Sequence, residues 1–258
     1  MDVLTDALAW LNDPLNWSGT NGVVALTLEH LRVTALAVLL AAAVSLPLGV
    51  ALGHARRGAT LGVVVANTTR ALPTLALLTL LAATGLFGAT ATVLACAVFA
   101  VPPLLTNTVT GLGGVDRDVV DAARGLGMSG RRRLWAVEVP LAGPLIAAGA
   151  RTAAVQVLAT VPLAALVGGR SLGTVIVTGF GTQRYGQVLA GGLLVAALCL
   201  LTEGVLALAQ RLLTPRGVRE AGSGQRPRRS RPTTEKAPVP QPAAVAAPTS
   251  RGSNGPAA

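Results

Sequence analysis

VTALAVLLAAAVSLPLGVALG, Val33 to Gly53, contains no charged side chain. A helix crosses the hydrocarbon core of a bilayer with about 20 apolar residues. Only helices and closed barrels pair every backbone polar group in lipid, and a barrel strand alternates apolar with polar residues, as this run does not. The stretch therefore predicts a membrane-spanning helix. The pattern recurs downstream: Ala71 to Val115 is uncharged and long enough for two spans, and Val188 to Thr202 is uncharged as well. Of the 258 residues, 52% are hydrophobic and 12% charged, about half the charged share of a soluble domain. The expected fold class is an all-α membrane protein.

Five spans are expected, at 33–53, 62–83, 88–109, 142–167 and 188–210, with Gly85-Leu86-Phe87-Gly88 breaking the second from the third. Arginine sets the orientation, because Lys and Arg collect in cytoplasmic loops. Arg56 and Arg57, then Arg117, Arg124 and Arg131 to Arg133, then Arg211 and Arg216 fall in one set of loops. The other set holds an N-terminus with Asp2, Asp6 and Asp13, the short 84–88 turn, and a 168–187 loop. The N-terminus is thus expected outside and the C-terminus inside. Residues 1–24 read as an extracytoplasmic segment unlike the basic start of a secretory signal. Residues 25–212 read as the membrane domain and 213–258 as a disordered cytoplasmic tail.

The net charge of +10 is concentrated in that tail, where residues 214–258 hold eight basic and two acidic side chains. A basic segment following a last span suits the anionic inner leaflet, and no nucleic-acid partner is expected. Cys96 and Cys199 lie inside apolar runs, and His30 and His54 are isolated. Neither pair has ligand spacing, so no metal or other cofactor is expected.

Between the third and fourth spans the chain interrupts itself with a loop, 113–140, longer than a connection needs. Its second part reads DAARGLGMSGRRRLWAVEVP, residues 121–140. Asp116, Asp118 and Asp121 suit the positive end of a helix dipole. Val119, Val120, Ala122, Ala123 and Leu126 fall at helical spacing. Gly127 is expected to break that helix, a second short helix to run from Arg131 to Val139, and Pro140 to stop it. Two short helices joined at a glycine make a compact knob suited to a groove on another protein.

The spacing of this loop resembles the "EAA" coupling motif of ABC importer permeases. Asp121-Ala122-Ala123, three residues, Gly127, nine residues, then Val137-Glu138-Val139-Pro140 is similar to Glu-Ala-Ala, three residues, Gly, nine residues, Ile, any residue, Leu-Pro. Asp stands for Glu, and Val for both Ile and Leu. The resemblance implies a type I importer permease whose loop, through Asp121, Ala122, Ala123, Leu126, Gly127 and Met128, docks on an ATPase subunit. Arg70 to Leu78, Pro103 to Leu112, Gly149 to Ala153 and Leu166 to Gly173 resemble permeases for glycine betaine, carnitine and choline, with Arg70 and Thr106 as departures. The resemblance covers about residues 25–210. It implies two ATPase copies and an extracytoplasmic solute-binding protein; a second permease copy, identical or not, is expected because five spans rarely suffice for a path. The location implied is the bacterial inner membrane.

The chain is not expected to be an enzyme. A phosphate-binding loop needs a lysine, and Lys236, in the tail, is the only one. Aromatic residues make up 3% of the chain, too few to cage a quaternary ammonium ion within the membrane. Candidate path residues are Arg70, Pro73, Thr74, Asn107 and Thr160, although an ordinary hydrogen bond accounts equally well for each polar one. Pro73 and Pro162 are expected to interrupt their spans. Glu203 is expected to pair with Arg70 or Arg151, since intramembrane charges pair or face water. A permease for another solute such as methionine, a passive channel, and a membrane scaffold are the competing readings. A channel needs no ATPase, and a scaffold acting through its basic tail fails when 214–258 is deleted.

Overall fold

The computed structural model describes residues 2–56, 59–68 and 74–213; Arg70 and Pro73 lie outside the described residues. No strand occurs among those described. In chain order the helices are α1 (Val3–Asn12), α2 (Val23–Ala55), α3 (Ala59–Thr68), α4 (Thr74–Ala83), α5 (Gly88–Gly113), α6 (Arg117–Gly125) and α7 (Gly130–Arg133). After a π turn, Leu134–Glu138, come α8 (Val139–Thr160), a 3-10 segment (Val161–Val167), α9 (Gly173–Gly181) and α10 (Tyr185–Leu213). Four helical segments are long and apolar enough to cross a membrane: Val23–Ala55, Gly88–Gly113, Gly130–Val167 and Tyr185–Leu212. The expected span 62–83 falls on two ten-residue helices, α3 and α4, on either side of residues 69–73.

The first span begins ten residues earlier than its charge-free run. Glu29 and Arg32 lie inside α2 and pair with each other at 3.3 Å. With 33 residues, α2 is about 50 Å long at 1.5 Å per residue, longer than the hydrocarbon core. Its packing edge is legible as a repeat: Val33, Ala37, Ala41, Ser45, Gly49 and Gly53 are buried, each four residues from the last. Small residues at that spacing let helix backbones approach closely. A Cβ added at Gly49 would lie 2.8 Å from Thr108, and one at Gly53 would lie 2.8 Å from Leu112. The α2–α5 interface is accordingly the most extensive among the described elements.

The other face of α2 exposes Leu28, Leu36, Leu39 and Val44, and α10 exposes Leu200, Leu201, Val205 and Leu212. Lipid is a solvent in which such faces cost nothing.

Pro162 does interrupt its span. The α-helical bonding of α8 ends at Thr160 and continues as a 3-10 segment. Proline has no N–H, so the carbonyl four residues earlier, that of Leu158, loses its partner. His30 supplies the missing donor: its Nε2 lies 2.9 Å from the Leu158 oxygen, and its side chain is wholly buried. The histidine read as isolated in sequence thus repairs a break in a helix far along the chain.

Two expectations need correction. Residues 168–187 are not a simple loop, because Gly173–Gly181 is helical; nine residues are too few for a periodic signal. Pro140 does not stop the helix that precedes it. The chain stays helical from Gly130 to Val167, and Val139 donates to the Leu134 carbonyl across the π turn. Shifting the bonding from i−4 to i−5 just before Pro140 lets the helix pass a residue that cannot donate.

Candidate functional site

The knob is built from its caps. The Asp116 carboxylate accepts from Asp118 N at 2.9 Å, opening α6. One face of α6 points inward: Val120 and Ala123 are buried, and Val120 packs with Leu112, Val115 and Ala142 from the feet of the neighbouring spans. At the other end Gly127 takes φ +75°, the left-handed conformation glycine allows. Gly127 N donates to Arg124 O at 2.9 Å and Met128 N to Ala123 O at 3.2 Å. Those two bonds are the Schellman arrangement that satisfies the last carbonyls of a helix. Ser129 then caps α7.

The turn sets Leu126 at the tip, 79% exposed. Asp121 and Ala122 are exposed as well, with Asp121 held by Arg124 at 3.0 Å. The motif residues therefore divide. Val120 fastens the knob to the spans and Ala123 is buried on the same face, while Asp121, Ala122 and Leu126 form an outward surface. Gly127 shapes the turn between them.

Residues 45–216 match the family of binding-protein-dependent transport system inner membrane components. The chain belongs to that family. It is the permease subunit of an ABC importer, a multi-pass membrane protein. The permease is 34% identical over 210 residues to the glycine betaine/carnitine/choline transport system permease protein OpuCB of Bacillus subtilis, an alignment covering 81% of this chain and 97% of that one. It is 34% identical over 192 residues to the choline transport system permease protein OpuBB of the same organism, covering 74% and 88%. The osmoprotectant import permease protein OsmW of Salmonella typhimurium is 32% identical over 203 residues, covering 76% and 94%. Among solved structures, an inward-facing MetNI methionine ABC transporter superposes with a TM-score of 0.65 at 21% identity, covering 74% of this permease and 96% of that chain. That likeness shows the fold.

The other residues singled out in the sequence are scattered. Asn107, on α5, donates from its side chain to Pro103 O at 2.8 Å. Thr160 ends α8 and donates to Gln156 O at 2.8 Å. Thr74 begins α4. No hydrogen bond joins these three among the described residues. Of the two partners considered for Glu203, Arg151 is in reach, its Nη1 lying 3.4 Å from Glu203 Oε1. Both residues lie within membrane-spanning helices, where a polar contact between helices is worth about 0.6 kcal/mol on average. Glu203→Gln is expected to leave the permease assembled and its melting temperature within about 4 °C of wild type. A larger fall in a detergent melt would show that the pair holds α8 to α10.

A second cluster escaped the sequence reading. Glu138, only 3% exposed, has both carboxylate oxygens occupied. Arg133 Nε lies 2.8 Å from Oε1 and His54 Nδ1 lies 2.7 Å from Oε2. Arg56 Nη2 donates to Val115 O at 3.2 Å. The signal was present in the motif itself: a carboxylate flanked by valines at the foot of a span must find a cation.

Proposed function

We propose that this permease carries quaternary-amine solutes of the glycine betaine, choline and carnitine type across the membrane, driven by ATP hydrolysis on a separate subunit. The observation that carries the coupling role is the knob, an exposed tip on a firmly rooted base, formed where the coupling motif lies. The solute class rests on what the relatives at 32–34% identity are named for transporting. The methionine transporter shares the fold at 21% identity and lends no weight to methionine as the solute.

In this reading the knob faces the cytoplasm, with the N-terminus outside and the C-terminus inside. Asp121, Ala122, Leu126, Gly127 and Met128 meet the ATPase, and Pro140 marks where the loop joins the fourth expected span. Two ATPase copies and a second permease copy complete the machine, and an external binding protein delivers the solute. The apolar faces of α2 and α10 meet lipid or that second copy. Arg70, Pro73, Thr74, Asn107 and Thr160 contribute to the path, and residues 213–258 rest against the inner leaflet. The permease itself performs no hydrolysis: its one lysine, Lys236, lies in no phosphate-binding motif.

Uptake by cells expressing the full set of subunits tests the division of labour. Replacing the phosphate-binding lysine of the ATPase partner is expected to abolish uptake of a labelled quaternary amine with the permease unaltered. Uptake persisting at the same rate would favour a passive channel.

A further inference from the structure

We propose that His54, Glu138 and Arg133 form a clamp through which the coupling knob moves the first spanning helix, making them positioning residues for transport. The inference rests on the coupling role assigned above and names the path its motion takes. The knob leaves the bundle after α5 and rejoins it at α8, and both legs are tied to the last turn of α2. On the outgoing leg, Arg56 holds the Val115 carbonyl at 3.2 Å. On the returning leg, His54 holds Glu138 at 2.7 Å across 84 residues of sequence. Between the legs, Gly53 lets Leu112 approach so closely that an added Cβ would sit 2.8 Å from it.

The π turn is what makes the clamp possible. Arg133 and Glu138 are five residues apart, and an α-helix brings together only residues three or four apart. The i→i+5 bonding of Leu134–Glu138 brings the fifth residue round to face the first. Arg133 and His54 then approach one carboxylate from different helices. Burying a carboxylate is costly, and its ion pairs commonly do no more than offset that cost. Such a group adds little stability but fixes one register of knob against span. A displacement of the knob towards or away from the ATPase therefore carries the end of α2 with it.

The test is the number of solute molecules imported per ATP hydrolysed, measured in proteoliposomes of the complete transporter. Glu138→Gln keeps shape and removes charge, and is expected to lower that ratio about fivefold or more, with ATP hydrolysis continuing. His54→Leu removes the donor and is expected to do the same, whereas His54→Gln, which keeps an N–H, is expected to retain most of the ratio. The Leu and Gln variants at His54 decide the matter even if Glu138→Gln fails to assemble. A wild-type ratio in both Glu138→Gln and His54→Leu, beside a defective Gly127→Asp, overturns the clamp and leaves the docking reading standing. Normal transport in Gly127→Asp would instead sink the docking reading. Equal loss in His54→Leu and His54→Gln also overturns the clamp, since the hydrogen bond would then not matter.

Discussion

Gly127→Asp is expected to cut ATP-driven uptake about tenfold or more while leaving the permease folded, an effect that needs only about 1.4 kcal/mol of lost docking energy. The position has φ +75°, and an added Cβ meets nothing within 4 Å. The cost to the fold is backbone strain alone, roughly 1–2 kcal/mol for an L-residue and less for Asp, which tolerates this conformation better than most. The bonds from Gly127 to Arg124 and from Met128 to Ala123 remain available, so the turn persists. What changes is the surface presented to the ATPase. A carboxylate now stands next to Leu126 at the tip, and burying it unpaired in a docked interface costs several kcal/mol. Uptake is measured against the amount of permease in the membrane. Unchanged uptake at normal abundance would remove the tip from the ATPase contact.

Gly149→Ala is expected to lower the melting temperature in detergent by about 2–12 °C, from an overpacking cost of roughly 1–3 kcal/mol. A Cβ at Gly149 would lie 2.6 Å from Asn107 Cβ and 3.0 Å from the Pro103 carbonyl oxygen. Neither neighbour yields easily. Pro103 O is backbone, and the Asn107 side chain is held by its own bond to that same oxygen. The added methyl must wedge α5 from α8. Gly192, inside α10 and followed by Leu193, has nothing within 4 Å of an added Cβ. There Gly192→Ala gains about 0.8–1 kcal/mol of helix propensity, so its melting temperature is expected to hold or rise. Equal melting of the two variants would mean that α5 and α8 are not in close contact at Gly149.

The spanning helices were legible because lipid imposes a rule that sequence alone displays: enough uncharged residues to cross, and few charges within them. The small-residue seam of α2 was not read from the sequence, although Val33, Ala37, Ala41, Ser45, Gly49 and Gly53 repeat every four residues. The knob could be read because its capping acids and Gly127 act locally, within a few residues of one another. The helices α1 and α9 were missed, since ten and nine residues display too few turns to set against a loop. The fate of Pro140 was misread for a different reason. Proline normally ends a helix, and the π turn that carries the chain past Pro140 is announced by no local composition. The motif announced that Glu138 needs a cation, but that His54 meets it was out of reach for the same cause. That contact depends on a bonding register and on two positions brought together by helix packing. His30 and Pro162 form a gentler case: the proline announced an orphaned carbonyl, but not which side chain would serve it.

The most direct test of the account is accumulation of labelled glycine betaine, choline and carnitine, with methionine as control, in proteoliposomes holding the full-length permease, its ATPase and its binding protein. At least one quaternary amine is expected to accumulate, only when ATP is supplied on the ATPase side, and methionine is not. Accumulation of methionine alone, or entry of the quaternary amines at the same rate without ATP, would contradict it.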